Sequence, residues 1–265
     1  MTLCNSTIIG KPCVPRVVEY CVENKKIQKP LCAAIVSDLH LSDPIPAITL
    51  LQKISPNVIF APGDLMEDLR LEQNVTYHSQ GIALLSAAAQ IAPTFYSLGN
   101  HEKEPSPAAL QAIEHTGAIL LDRNCSESFA GLYIGGLDSH VKTGTRKTLP
   151  PDLSFVKQFS AYQTDRCKIL LCHNPEYYVP YLRAEDIDIV VSGHAHGGQW
   201  RLFGRGLYAP GQGLFPRYTR GVYENRLVVS AGLGGMTRVP RINNPAQVVV
   251  LRLLPLNCSN HVSRK

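Results

Sequence analysis

Short apolar runs alternate with polar, turn-forming segments along the chain, and their lengths predict a mixture of strands and helices. Short runs rich in Val, Ile, Leu and Phe predict strands over 17–22, 31–36, 57–60, 94–97, 118–121, 132–135, 169–172, 187–191, 227–230 and 248–254. Longer segments with spaced apolar positions predict helices over 45–54, 74–91 and 108–115, the last closed by Gly117. This order predicts an α/β fold in which two layered sheets are flanked by helices.

Composition limits the classes of protein that fit this pattern. Hydrophobic residues make up 45% of the 265 residues and charged residues 18%, and no linker separates two cores, so we expect a single domain over residues 1–265. The net charge of +5 comes from scattered Lys and Arg, which disfavours a stable nucleic-acid complex. No apolar stretch is long enough to span a membrane, and the first residues lack the pattern of a secretory signal. Eight Cys without a C-x-x-C pair indicate free thiols in a reducing compartment, so we expect a cytoplasmic protein.

Polar residues that can bind a metal follow the predicted strands at five places. In open α/β sheets, ligand sites lie beyond the carboxyl ends of the strands, so these clusters are expected to meet at one edge. His101 lies in one of these clusters but is not counted as a ligand. The candidate ligands are two Asp, one Asn and four His: Asp38, His40, Asp64, Asn100, His173, His194 and His196.

The donor set predicts the kind of metal site. Seven oxygen and imidazole donors exceed what one tetrahedral zinc site uses, and they fit two ions that share a bridging carboxylate. Mixed nitrogen and oxygen ligation suits manganese, iron, cobalt, nickel or zinc better than magnesium or calcium, and among these we expect manganese.

The residues around the ligands also follow a pattern. Gly63, Gly99 and Gly193 each precede a candidate ligand, where glycine permits a positive φ or a close approach of the backbone. In an extended segment, Asp38 and His40 would lie on one side, and His194 and His196 likewise.

The ordered motifs D-x-H, G-D, G-N-H-E, a lone His and G-H-x-H resemble those of the calcineurin-like metallophosphoesterase superfamily over roughly residues 35–196. The later segments GGQW, FPRYTRGVYE and PRINNPAQVVVLRL resemble the bacterial phosphodiesterase branch typified by YaeI and YkuE. The resemblance implies a four-layer α/β/β/α sandwich of two mixed β-sheets, and a phosphodiesterase that uses a dinuclear metal centre and a bridging hydroxide.

The resemblance also implies a role for each residue. One metal would be held by Asp38, His40 and His196, and the other by Asn100, His173 and His194. Asp64 would bridge the two metals. His101 would bind no metal and would act as the catalytic acid, and Glu102, which stands where many relatives have Asp, would orient His101.

Three other functions are weighed against the phosphodiesterase. A UDP-diacylglucosamine-type pyrophosphatase acting on a lipid-linked substrate would need an apolar surface near the site, and the loop 202–218 is only modestly apolar. In that reading, the lipid substrate would be the only link to a membrane. A non-catalytic binding scaffold is disfavoured because every ligand position is filled. A nuclease is disfavoured because no basic segment with interleaved aromatic residues is present.

The loop that follows the last ligands has more than one interpretation. Trp200 and Phe203 would either wall the pocket or pack the loop. Most of the arginines in this region are expected to be solvated, with one or two available to a substrate phosphate: Arg201, Arg205, Arg217 and Arg220.

Overall fold

A computed structural model of the chain describes residues 3–4, 14–69, 75–102, 105–121, 126–139, 149–235 and 240–256. Two six-stranded mixed sheets form its centre. The first sheet has the order β2 (Arg16–Asn24), β18 (Gln247–Pro255), β3 (Leu31–Ile35), β4 (Val58–Pro62), β5 (Thr94–Ser97) and β6 (Ile119–Leu120). The second has the order β15 (Gly221–Tyr223), β16 (Leu227–Val229), β10 (Ile189–Ser192), β9 (Cys167–Cys172), β8 (Leu132–Leu137) and β7 (Ser126–Phe129).

The other elements among the described residues are four α-helices, three short 3₁₀ or π helices and three two-stranded pairs. The helices are α1 (Ile45–Ile54), α2 (Val75–Ile91), α3 (Pro107–Glu114) and α4 (Leu153–Ala161). The small pairs are β1 (Leu3–Cys4) with β17 (Arg241–Ile242), β11 (Arg201–Leu202) with β12 (Arg205–Gly206), and β13 (Tyr208–Ala209) with β14 (Gly213–Leu214). None of the helices described is both long and apolar enough to cross a bilayer.

Alternating side chains on the central strands divide the core into layers. Ala33 and Ile35 of β3 point into a core between the two sheets, where Ile169 of β9 and Val191 of β10 meet them. The outer face of the first sheet packs on α1, α2 and α3 through a second core. The outer face of the second sheet packs on α4 through a third. The layers are therefore helix, sheet, sheet, helix, which confirms the α/β/β/α sandwich.

The predicted strands and helices are present, with shifts of one or two residues at most ends. The sequence pattern did not predict α4, the sheet strands β7 and β15, or the short strands outside the two central sheets. Helix α4 begins where Asp152 accepts hydrogen bonds from the Ser154 and Phe155 backbone N–H groups, a cap that an apolar pattern does not reveal. Helix α3 ends at Glu114 and is capped by His115, whereas Gly117, predicted to close it, has φ of +79° in the turn toward β6.

Candidate metal centre

The predicted ligands lie in five loops that follow parallel strands. Loops after β3, β4 and β5 come from the first sheet, in which these three strands are parallel neighbours. Loops after β9 and β10 come from the second sheet, where that pair is also parallel. The carboxyl ends of both groups face the same edge of the sandwich. Backbone hydrogen bonds from Asp38 N–H to Gly63 and from His40 N–H to Asp64 join the loops after β3 and β4.

One cluster of donors consists of Asp38, His40 and His196, all buried, with one ligand atom of each within 4.8 Å of the others. The two imidazoles approach through their Nε2 atoms, which are 3.3 Å apart. The Nε2 atom of His196 is 3.8 Å from Oδ1 of Asp38.

A second cluster consists of Asp64, His173 and His194, also buried and within the same distance of one another. The Nε2 atom of His173 is 3.0 Å from Oδ2 of Asp64 and 3.2 Å from Nδ1 of His194. The other His173 nitrogen, Nδ1, donates to the Pro62 carbonyl at 2.7 Å, which leaves Nε2 free of a proton when the ring is neutral. Asn100 lies next to this cluster, because the N–H of the following residue, His101, donates to Oδ1 of Asp64.

The backbone at the ligands differs from the extended segment that the alternation predicted. Asp38, His40, Asp64, His194 and His196 all have positive φ, between +44° and +64°. A left-handed conformation costs roughly 1–2 kcal/mol for a residue other than glycine. The strained backbone therefore occurs at the predicted ligands, and the surrounding structure must hold these residues in the left-handed conformation.

The glycines beside the ligands are needed mainly because the loops approach each other closely. A Cβ on Gly99 would lie 2.2 Å from Oδ1 of Asp64, and one on Gly193 would lie 2.5 Å from Oδ2 of Asp38. Only Gly63 of the three glycines predicted to turn the chain has positive φ, at +89°. Close approach, more than turn geometry, therefore accounts for glycine at these positions.

The donors fit divalent metal ions on two observations. Two nitrogen ligands, each about 2.1 Å from one ion, lie about 3.0–3.4 Å apart at tetrahedral or octahedral angles, and both histidine pairs have this spacing. Moreover, Oδ2 of Asp38, Oδ1 of Asn100 and Nε2 of His194 are buried without a hydrogen-bond partner among the residues that the structure describes. Buried polar atoms are rarely left unpaired, and these three all belong to predicted ligands.

The buried histidines differ in the direction in which their surroundings shift the pKa. Burial lowers the pKa of His173, but the charge of Asp64 outweighs it and raises the pKa to about 10. Burial and the charge of His173 lower the pKa of His194 to about 3. Burial and the charge of His40 hold the pKa of His196 well below its usual range. Burial raises the pKa of Asp64, but the charges of His173 and His101 reverse this, and the pKa lies well below its usual value.

His101 lies at the opening of the site, with 42% of its side chain exposed. Its Nε2 atom is 4.0 Å from Oδ2 of Asp64, and its Nδ1 is 2.7 Å from Oε2 of Glu67. Burial lowers the pKa of His101, but the charge of Asp64 and the hydrogen bond to Glu67 raise it to about 9. The same Glu67 contacts His40 Nδ1 at 2.7 Å through Oε1, so one carboxylate orients both rings.

Glu102 does not have the role that the resemblance implied for it. Its buried carboxylate accepts four backbone N–H groups, from Asp64, Leu65, Met66 and Gly99, at 2.6–2.9 Å. Burial and the charge of Asp64 raise its pKa. Glu102 therefore fixes the loop that carries Asp64, and the carboxylate that orients His101 is Glu67.

Sequence reasoning missed several other residues behind the ligands. Asn244 donates through Nδ2 to the His196 carbonyl at 2.6 Å, and it comes from a segment remote in sequence. Nη2 of the buried Arg241 is 3.4 Å from Nδ1 of His196, and its charge helps to lower the pKa of that histidine. Glu67 was the one with an available signal, because it stands three positions after Asp64 in the same motif.

Known proteins of one family match the part of the chain that contains the ordered motifs. The model of the calcineurin-like phosphoesterase family matches residues 33–198. An uncharacterized metallophosphoesterase of Campylobacter jejuni is 30% identical over 256 residues, which cover 90% of this chain and 63% of that protein. The chain spans 65% of the length of each of two similar Helicobacter pylori proteins. It therefore spans less than two thirds of these three relatives.

Two further relatives carry names that state an activity. The phosphodiesterase YaeI of Escherichia coli is 27% identical over 244 residues, covering 85% of this chain and 83% of that protein. The UDP-2,3-diacylglucosamine pyrophosphatase LpxG of Chlamydia muridarum is 35% identical over 108 residues, covering 37% of this chain and 32% of that protein.

Proposed function

Because the chain belongs to the calcineurin-like phosphoesterase family, we propose that it hydrolyses phosphodiester bonds with the help of two divalent metal ions. The observation that carries the proposal is the pair of buried donor clusters at adjoining strand ends, with unpaired atoms on three of the predicted ligands. The similarity to the phosphodiesterase YaeI over 85% of the chain supports a diester as substrate.

The assignment of ligands follows the two clusters. Asp38, His40 and His196 would hold one ion, and Asn100, His173 and His194 the other. Asp64 would join the two, since its carboxylate contacts His173 of one cluster and its backbone carbonyl accepts from the N–H of His40 of the other. Manganese is the ion that we propose for both positions. When bound, such ions supply a water of lowered pKa and positive charge to balance the phosphate.

The chain's own residues would complete the reaction at the leaving oxygen. His101 would carry the proton, because the charged Glu67 carboxylate lies 2.7 Å from its Nδ1 atom, and its exposed ring faces the opening of the site. It would donate this proton from Nε2 to the leaving alkoxide as the phosphorus–oxygen bond breaks. Glu67 would hold the ring by its Nδ1 atom, so that Nε2 points toward Asp64 and the substrate.

The residues that fix the loops would keep the site in one geometry. Glu102 holds the loop of Asp64 through four hydrogen bonds, and Asn244 holds the loop of His196. These contacts maintain the strained left-handed backbone of the ligands before substrate binds. A site that is already organised loses less free energy in arranging itself around the transition state.

A substrate panel on protein reconstituted with Mn²⁺ tests the proposal. The panel contains bis-p-nitrophenyl phosphate, p-nitrophenyl phosphate, a cyclic nucleotide and a nucleotide-sugar pyrophosphate. We expect the diester to be cleaved with the highest kcat/KM, and chelation or the Asp64→Ala change to remove the activity. A clear preference for the monoester would overturn the assignment as a diesterase.

A pyrophosphatase acting on a lipid-linked nucleotide sugar is the second candidate. It is favoured by the similarity of 37% of the chain to LpxG and by the exposed apolar side chains of Phe203 and Phe215 in the loop after the ligands. When a diacylated nucleotide sugar is added to the panel, this function predicts that it has the highest kcat/KM and is cleaved between its two phosphorus atoms.

A further inference from the structure

Five large apolar side chains are exposed on the two small hairpins that follow the last predicted ligands. Their exposed fractions range from 43% to 95%, and we name this group the apolar rim: Trp200, Leu202, Phe203, Leu214 and Phe215. Isolated exposed apolar residues are common, but a cluster of this size marks an interaction surface.

The two hairpins form one connected unit. Strands β11 and β12 make the first hairpin, and β13 and β14 make the second. The Phe215 N–H donates to the Leu207 carbonyl at 2.9 Å, which joins the end of the second hairpin to the connection between the two. The Leu207 N–H donates in turn to the carbonyls of Gly198 and Trp200. The rim is therefore held by backbone hydrogen bonds rather than by burial of its side chains.

The stability of the fold does not explain the two phenylalanines. Phe203 is 95% exposed and Phe215 is 76% exposed, so neither gains much from packing. Both have positive φ, +49° and +53°, a conformation that favours glycine or asparagine. Phe203 and Gly204 occupy the tip of the first hairpin, where a two-residue turn with both φ positive is typically Asn-Gly. A phenylalanine at such a position costs folding free energy, which indicates a role outside the folded chain itself.

The charge around the rim has one sign. Between residues 197 and 223 the sequence has four arginines and no aspartate or glutamate. Arg205 and Arg217 are exposed and flank the two phenylalanines in sequence. Arg201, in contrast, donates inward to the Gly197 carbonyl and to Thr219, so it holds the hairpin. Exposed apolar side chains beside exposed arginines match a surface with anionic head groups over an apolar interior.

The rim adjoins the candidate metal centre. A Cβ on Gly198, two residues after His196, would lie 2.4 Å from the Gly206 Cα atom, so the first hairpin packs on the ligand loop. A Cβ on Gly211 would lie within 2 Å of Oε1 of Glu176, and that same oxygen is 3.6 Å from Nε2 of His194. Both hairpins therefore meet the backbone or the neighbours of the metal ligands.

We propose that the apolar rim docks the protein on an anionic lipid bilayer, with the tip of the first hairpin and the end of the second in the interfacial region and Arg205 and Arg217 against the lipid phosphates. The rim and its two arginines comprise seven residues, whereas a stable dimer interface uses about 20–30 residues and about 800 Å² on each partner. Docking in this way places the candidate metal centre beside the lipid surface. The proposal goes beyond the proposed function, because it holds for any phosphoester that the site cleaves.

Vesicle flotation of the 265-residue chain tests the docking without relying on activity. We expect the chain to float with vesicles of phosphatidylcholine and phosphatidylglycerol at low salt, and to bind pure phosphatidylcholine vesicles more weakly. Replacing Phe203 and Phe215 together by Ser should lower the binding constant by about a hundredfold, because moving each phenylalanine out of water is favourable by about tenfold. Replacing Arg205 and Arg217 together by Gln should weaken binding about fivefold for each arginine and reduce its salt dependence.

Matched controls come from the opposite edge of the sandwich. Leu256 follows β18 directly and is 53% exposed. This end of β18 pairs with the start of β3, so it lies away from the ligand loops, which follow the end of β3. Lys25 and Lys29 are exposed before β3 at the same edge. We expect Leu256→Ser, and the double change of both lysines to Gln, to bind vesicles like the unaltered chain. We also expect the Phe variant to cleave soluble bis-p-nitrophenyl phosphate unchanged.

Three results would overturn the proposal. The first is no flotation of the unaltered chain with anionic vesicles at low salt. The second is equal flotation of the Phe203 and Phe215 variant. The third is a dimer in size-exclusion chromatography without lipid that the same variant dissociates, because the rim would then be an interface between two copies of the chain. Loss of phosphodiesterase activity in an otherwise floating protein would contradict only the proposed function.

Discussion

The contact between Glu67 and His101 gives a sharp test of the proposed acid. Glu67→Gln keeps the size of the side chain and removes its charge. In the structure, Oε2 of Glu67 is 2.7 Å from Nδ1 of His101, and Oε1 is at the same distance from Nδ1 of His40. Burial raises the pKa of Glu67, but the hydrogen bonds from both histidines lower it to about 2, so the carboxylate is charged throughout the range of activity.

The size of the effect follows from this geometry. A hydrogen bond to a charged group contributes about 1.5–3 kcal/mol, and each 1.36 kcal/mol corresponds to about one pKa unit. Because 42% of the His101 side chain is exposed, water screens the pair and the lower end of the range applies. We therefore expect the pKa of His101 to fall by about one unit in Glu67→Gln. Since an acid must be protonated to act, activity is lost as pH rises through this pKa, and the loss should begin about one unit earlier.

The assay is kcat for diester hydrolysis against pH at saturating metal, with the metal content of each variant measured. Removing His101 itself, in His101→Asn, should lower kcat by about 10²- to 10⁴-fold with metal retained. Adding the Glu67 change to His101→Asn should then move the pH profile no further. An unchanged alkaline limb in Glu67→Gln would refute the reasoning. So would loss of metal as the sole effect, because Glu67 would then act through His40.

The other predictions concern the ligands and their support. Asp64→Asn should remove most bound metal and all diesterase activity while the chain remains folded by circular dichroism, and full metal content would contradict the bridging role. Glu102→Ala leaves four buried N–H groups unpaired, so it should destabilise the chain by at least about 3 kcal/mol and lower Tm by several degrees in calorimetry. An unaltered Tm would show that Glu102 does not hold the loop. His173 has its pKa raised to about 10, so at neutral pH its proton competes with metal. Metal affinity in titration calorimetry should therefore increase as pH rises from 6 to 9, and a flat profile would contradict this competition.

Much of the fold could be predicted because the apolar runs are short and clearly bounded. The strands β3, β4, β5, β9 and β10 consist mainly of apolar residues, which is typical of strands buried on both faces. Helix α4 was missed because its apolar face rests on Phe155, Val156 and Phe159, separated by polar residues that resemble a loop. Strand β7 pairs at a sheet edge and has a largely polar sequence, so periodicity gave no signal.

Motif order predicted eight candidate side chains, and the structure brings them together beyond adjoining strand ends. Their backbone conformation could not be predicted. The extended conformation expected from D-x-H was wrong, since Asp38 and His40 lie in left-handed turns that only the packed loops can enforce. The motif position of Glu67 gave a signal that it lies near the site, but which of Glu67 and Glu102 reaches His101 could not be predicted, because it depends on how two loops cross.

The surroundings of the side chains in the loop after the ligands could not be predicted from the sequence either. Trp200 and Phe203 were expected either to wall the pocket or to pack the loop. The Trp200 indole N–H donates to the Pro240 carbonyl at 2.8 Å, so this residue does help to hold the loop. Phe203 does neither, because it is almost fully exposed at a hairpin tip. The sequence shows that a residue is apolar, but only the fold determines whether other residues bury it.

The central claim is that the two donor clusters hold two metal ions joined by Asp64. The measurement that tests it most directly is anomalous diffraction from crystals of the chain grown with Mn²⁺. The account predicts two anomalous peaks about 3.5–4 Å apart, with a carboxylate oxygen of Asp64 beside both and His101 beside neither. A single peak, or two peaks of which one lies away from Asp64, would contradict it.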